Sequence, residues 1–119
     1  MDRVQFLSHN DKQIVLLDLS HCQTIERIPL IEQAKIVIAG LPPKSSLVLT
    51  DVTEGVYTKD VDNAIKDFVS HNTPYIKASA VVGADGIRLV LLQTVIFLTR
   101  REIKTCKTRH EAMDWLAGH

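Results

Sequence analysis

The sequence predicts an α/β fold: a mixed, mostly parallel sheet of about five strands packed with about four helices, in the order β-β-α-β-α-β-α-β-α. Three observations carry that expectation. Ser46-Leu47-Val48-Leu49-Thr50-Asp51-Val52-Thr53 is a branched apolar run between the breaks Pro42-Pro43-Lys44-Ser45 and Glu54-Gly55, the pattern of a strand buried on both faces of a sheet. Segments of helical spacing alternate with such strands, which implies right-handed crossovers. Polar residues gather where strands end, at the carboxyl edge where open α/β sheets place their sites.

Residues 4–7 read as a short strand, Asp11-Lys12 as a turn, and residues 13–19 (Gln-Ile-Val-Leu-Leu-Asp-Leu) as a second strand. So short a connection favours an antiparallel hairpin. After Ser20-His21 the period changes. Pro29 suits a first helical position, Ile31, Ala34, Ile38 and Leu41 follow at helical spacing, and Gly40 and Pro42 close the segment. Beyond the central strand, Thr58 is the expected N-cap of a second helix with Asp60 and Asp62 in its first turn. Val61, Ala64, Ile65, Phe68 and Val69 form its apolar stripe, and Asn72-Thr73-Pro74 ends it. Residues 75–82 read as another buried strand running into Gly83-Ala84-Asp85-Gly86. Residues 87–99 follow as a third helix, and residues 102–106 as a short polar strand suited to a sheet edge. Thr108-Arg109-His110-Glu111 has the form of a capping box, opening a last helix through Ala112, Trp115 and Leu116.

A chain of 119 residues is expected to form one domain, 1–119, with a core of its own. Basic and acidic residues balance at 14 each, so no basic field points to nucleic acid or an anionic membrane as partner. Cys22 and Cys106 match no zinc or redox spacing and read as ordinary thiols of an intracellular protein. The start, Met1-Asp2-Arg3, leads into a polar alternating segment rather than a secretory signal. The longest apolar run, 87–98, is broken by Arg88, Gln93 and Thr94 and is shorter than the ~20 residues that cross a bilayer. A cytoplasmic location without an integral membrane segment is expected.

Three strand ends carry acids: Asp18 with Ser20 and His21, Asp51 with Thr53, and Asp85 between Gly83 and Gly86. On parallel strands they would share one edge, as a small polar site for a divalent cation or a phosphoryl group. Asp and Ser also favour turns and helix caps for purely local reasons, and that reading is preferred. A receiver-type phosphoacceptor site would need adjacent acids after one strand, which are missing. Gly83-Ala84-Asp85-Gly86 is neither GxGxxG nor a P-loop. The histidines at 9, 21, 71, 110 and 119 show no HxxxH or HExxH spacing, and no GxSxG or Cys/His signature stands out. No catalytic, metal or cofactor residue is therefore assigned.

The segment 87–99 is apolar on two sides. Ile87, Val90, Leu91, Val95 and Leu98 form a broad face, and Leu89, Leu92 and Ile96 form a second, narrower strip beyond the polar flanks. A helix covering a sheet needs one apolar face, so the strip must meet neighbouring helices, a second subunit or an apolar ligand.

Asp51-Val52-Thr53, the run from Tyr75 through Gly83, Arg100-Arg101 and Glu111-Ala112-Met113-Asp114-Trp115-Leu116 together resemble the small bacterial SpoIIAA-like proteins of the STAS superfamily, over most of residues 13–116. The resemblance implies a STAS-like single domain, in agreement with the element order. It also implies a regulatory protein–protein role, since STAS domains include anti-sigma-factor antagonists that bind a kinase and are switched on a serine in an Asp-Ser-Ser-Gly segment. Here the matching stretch is Thr58-Lys59-Asp60-Val61-Asp62-Asn63; with a one-residue gap Asp60 takes the acid position, and Val61 and Asp62 stand where the serines would be. A weaker likeness to CRAL–TRIO lipid carriers implies a second class, a carrier or sensor of a small apolar molecule or lipid. The expectation is a non-catalytic interaction module that meets an unidentified protein partner through Thr53, Thr58, Asp60 and Asp62. Leu89, Leu92 and Ile96 are expected to serve a homodimer or, in the alternative, an apolar ligand.

Overall fold

A computed structural model of the chain describes residues 3–21, 24–54, 59–84 and 103–119. Strands β1 (Val4–His9) and β2 (Lys12–Asp18) form the antiparallel hairpin. Its turn is Asn10-Asp11, one residue earlier than Asp11-Lys12, because Lys12 pairs with His9 in the ladder. Both turn residues take positive φ, 50° and 65°, as a two-residue type I′ turn requires. Asn and Asp tolerate that region through local side-chain hydrogen bonds, whereas lysine has no such compensation.

Helix α1 (Thr24–Ala39) starts five residues before Pro29, which lies inside it. The expectation of Pro29 as the first helical residue is thereby corrected. The earlier start brings Arg27 and Ile28 into the protein interior, and that packing outweighs the hydrogen bond that Pro29, lacking an N–H, cannot give. Ile31, Ala34 and Ile38 are fully buried, as their spacing predicts. Strand β3 (Ser46–Asp51), helix α2 (Lys59–Asn72), a 3₁₀ turn (Thr73–Tyr75), β4 (Ile76–Val82), β5 (Ile103–Cys106) and helix α3 (Arg109–Ala117) complete the described elements.

The sheet order is β1-β2-β3-β4-β5, antiparallel at β1–β2 and parallel elsewhere, with polar β5 at an edge. The β2-α1-β3 and β3-α2-β4 units step across it in the same direction, so crossovers of one hand lay α1 and α2 on one face. There Val15, Leu17, Val48, Ile31, Ile38, Phe68 and Val69 share a core. On the other face, Ile14, Leu16, Leu47, Leu49, Ala78, Ala80 and Val82 pack with Ala112 and Leu116 of α3. Burial on both faces is why these strands read as unbroken apolar runs rather than alternating ones.

Polar contacts fix the helices over this frame. Buried Asn72 donates from Nδ2 to the Lys35 carbonyl at 3.1 Å, and Lys35 Nζ meets Asp67 at 2.6 Å, tying α2 to α1. Thr108 caps α3 by accepting from the Glu111 N–H at 3.1 Å. Glu111 reaches back to the N–H of Lys107 at 3.2 Å rather than to that of Thr108, a capping box displaced by one residue. His9 Nε2 donates to Asp114 at 2.6 Å and joins α3 to the hairpin. Thr58, Asp85, the expected helix over 87–99 with Leu89, Leu92 and Ile96, Cys22 and Arg100-Arg101 lie outside the described residues.

The turn offers a local test. Asp11→Gly removes the cost of a side chain at φ 65° and should raise stability by about 0.5 kcal/mol in urea unfolding. A clear loss would reject the type I′ assignment.

Candidate functional site

The parallel register sets Asp18 opposite Asp51 as the last residues of β2 and β3. Counting by twos from Ile14 and Leu16, and from Leu47 and Leu49, both acids emerge on the α3 side. Each shapes its own exit turn in the same way. Asp18 Oδ1 accepts from the Ser20 N–H at 3.0 Å and from the Ser20 hydroxyl. Asp51 Oδ1 accepts from the Thr53 N–H at 3.0 Å and from Thr53 Oγ1 at 2.6 Å. The Asp-x-Ser and Asp-x-Thr sequences are thus two copies of one turn, in which the short acid satisfies the chain two residues on.

Arg109, the first residue of α3, spans the pair. Its Nε donates to Asp51 Oδ2 at 2.6 Å and its Nη2 lies 3.1 Å from Asp18 Oδ1. The Asp51 side chain is 7% exposed, that of Asp18 22% and that of Arg109 38%. Two further guanidiniums hold the β2 exit. Arg3 Nη1 donates to the Ser20 carbonyl at 2.7 Å and lies 3.7 Å from Asp18 Oδ1. Arg27, fully buried, donates from Nη2 to the Leu19 carbonyl at 2.9 Å.

The neighbouring exit is closed by backbone contact. Gly83 has φ 84°, and a Cβ there would stand 2.2 Å from Thr53 Oγ1 and 2.7 Å from Thr53 Cα. The end of β4 therefore lies directly against the β3 exit, and the sequence needs glycine for both reasons. The Val52 N–H donates to the Val82 carbonyl at 2.9 Å and the His21 N–H to the Thr53 carbonyl at 2.8 Å, extending the ladder past the strands.

The charges follow from this geometry. Burial pushes Asp18 up, but the Ser20 hydroxyl and N–H, with the Arg109 charge beside them, outweigh it and hold the carboxyl below its ordinary value of 3.8. Burial pulls Arg109 down, and its bond to Asp51 with the charges of both acids more than restores it. The cluster is an ionised, hydrogen-bonded clamp. Among the described residues no three His, Cys, Asp or Glu side chains converge as a metal ion requires.

Of the strand-end acids, Asp18 and Asp51 are brought together and Asp85 lies outside the described residues. Thr53 stands at this edge, half-buried, with its hydroxyl donated to Asp51. Asp60 is exposed in the first turn of α2; Asp62 is in the same helix, its side chain outside the described set, as is Thr58 altogether. Sequence reasoning missed Arg109, Arg3 and Arg27. One signal for Arg109 was present: a cation in the first turn of a helix opposes the helix dipole, which calls for acids from elsewhere.

No protein-family model matches the chain, and no curated protein sequence matches it. Among solved structures, it is similar to the crystal structure of an uncharacterised DUF3478-family protein with a SpoIIAA-like fold from Shewanella loihica PV-4. The TM-score is 0.68 at 14% identity, over 95% of this chain and 91% of the other. This chain has a SpoIIAA-like fold. At that identity the likeness carries the fold and leaves function to the residues. Within the SpoIIAA-like frame, the Arg109 clamp occupies the carboxyl edge of the parallel strands.

Arg109→Ala should cost about 2 kcal/mol, less than a fully buried pair because the guanidinium is over a third exposed. Urea denaturation measures it. The sign of the pH dependence follows from the lowered Asp18 value. Its contribution is complete above the unfolded value near 3.8 and is lost as pH falls through the lower folded value. Asp18→Asn should therefore be less stable than the parent at neutral pH, with the gap closing in acid; a gap independent of pH would reject the ionised clamp.

Proposed function

We propose that the protein is a non-catalytic, STAS-like interaction module that docks a protein partner on the surface beside Thr53 and the start of α2. One observation supports this above others. The two described strand-end acids are already engaged, Asp18 and Asp51 by Arg109 and by the groups two residues on. A carboxylate so occupied is poorly placed to take a proton or to polarise a substrate, whereas a rigid edge is well placed to present neighbouring side chains. Beside Thr53 the polar side chains are accessible: Glu54 and His21 are exposed, with His21 Nδ1 3.4 Å from Glu54, and Asp60 is exposed in the first turn of α2. The acids among them suit a partner presenting cationic or hydrogen-bond-donating groups, and make recognition steerable by charge. In the resemblance to STAS antagonists, Val61 and Asp62 take the place of the phosphorylatable serines, and the docking we propose has no serine switch at that place.

Asp60→Lys should leave the fold intact, since Asp60 is exposed, and should abolish capture of the partner by the tagged protein in extracts of its host. Undiminished capture of the same partner would overturn the assignment of this surface.

In this reading the protein acts as a homodimer through Leu89, Leu92 and Ile96. Leu92→Asp should then convert a dimer to a soluble monomer in sedimentation velocity, and an unchanged profile would reject the strip as an interface. The pocket beside residues 87–99, where the alternative of a carrier for an apolar molecule or lipid would hold its ligand, lies outside the described residues.

A further inference from the structure

The amino edge of the sheet differs from the carboxyl edge in the state of its charges. The cleft there, about 330 Å³, lies where β2, β3 and β4 begin, within the size range of small-molecule sites. Lys12 and Lys77 line it, and among its described lining residues none carries an acidic side chain. Neither lysine is in an ion pair with a described residue, unlike Lys35, Arg3 and Arg109. Two cations facing one concavity raise its potential and favour an anion there.

The backbone is irregular at the same place. Ser46 pairs with Ile76 and Leu47 with Ala78, so Lys77 is the extra residue of a bulge between β3 and β4. Bulges re-aim side chains and recur beside binding sites. Ser46 lines the cleft, is 4% exposed, and its hydroxyl has no hydrogen-bond partner among the described residues. A buried hydroxyl left unpaired costs stability and is satisfied when an acceptor arrives. The rest of the wall is mixed: Val15, Leu41, Pro42 and Leu47 are apolar, and Gln13, Ser45 and His119 are polar.

We propose that this cleft binds a small amphiphilic organic anion, its carboxylate or phosphate held between Lys12, Lys77 and the Ser46 hydroxyl and its apolar part laid on Leu41 and Pro42 beside Val15. The proposal is independent of the docking surface at the opposite edge. Recognition is by charge and one hydroxyl donor at the head and by area at the tail, so a neutral molecule of the same length is a poor ligand, as is the bare inorganic anion.

The test is titration of the full chain with octanoate, octyl phosphate, octanol and inorganic phosphate, followed by amide chemical shifts. Saturable shifts at residues 12–15, 46–47 and 77 are expected with octanoate or octyl phosphate, and the tighter of the two identifies the head group. Lys12→Gln with Lys77→Gln should weaken that binding about tenfold or more. Ser46→Ala should weaken it while leaving the melting temperature unchanged or raised, because the hydroxyl bonds to none of the described residues. Absence of saturable shifts with both amphiphilic anions would overturn the proposal. Octanol or inorganic phosphate binding equally well, or the lysine variants binding as the parent does, would overturn it too.

Discussion

Arg109 bonded to two acids at the ends of adjacent strands is the interaction on which the rest of this structure leans. Asp51 is almost wholly removed from water, and an ionised carboxylate there is tolerable only when neutralised and hydrogen-bonded. Its own turn fills one oxygen and the guanidinium fills the other. The arginine sits at a helix position where the dipole disfavours it by up to about 1 kcal/mol, and the paired acids overcome that. The consequence reaches beyond the cluster: α3 packs on the second face of the sheet, and the clamp fixes its start to the strand ends while His9 and Asp114 hold it to the hairpin.

The two edges of the sheet therefore have opposite characters. At the carboxyl edge, where open α/β sheets commonly hold ligands, the polar groups satisfy one another and Gly83 brings β4 against Thr53. Among the described residues, His21 and Glu54 face outward beside it, on the surface where we propose that a partner docks. At the amino edge a bulge, two lysines and an unpaired hydroxyl surround an open cleft. The fold is shared with a DUF3478 protein at 14% identity, and a fold shared at that distance says little about what either protein binds.

Much of the architecture was legible because it is written in short-range patterns. The doubly buried strands show as apolar runs at 14–17 and 47–49, the packed faces of α1 and α2 as helical spacing, and the start of α3 as Thr108 with Glu111. The carboxyl edge was partly legible as well, since Asp18-x-Ser20 and Asp51-x-Thr53 advertise local turns and the parallel register joins them. The hairpin turn and the start of α1 were misplaced. In each case a longer-range term prevailed: the His9–Lys12 pairing in one, the burial of Arg27 in the other.

Among the described residues, the sequence by itself determined which segments become strands and helices, that the sheet is mostly parallel, and that Asp18 and Asp51 stand at its carboxyl edge. These depend on periodicity and on contacts a few residues apart, which any chain of this pattern would satisfy. Only the tertiary structure decided what those acids do. Arg109 lies 58 residues from Asp51 along the chain. Their meeting is set by strand order, by the β2–β3 register and by the emergence of α3 from the edge strand. With the guanidinium delivered there, Asp18 and Asp51 are tied to the start of α3.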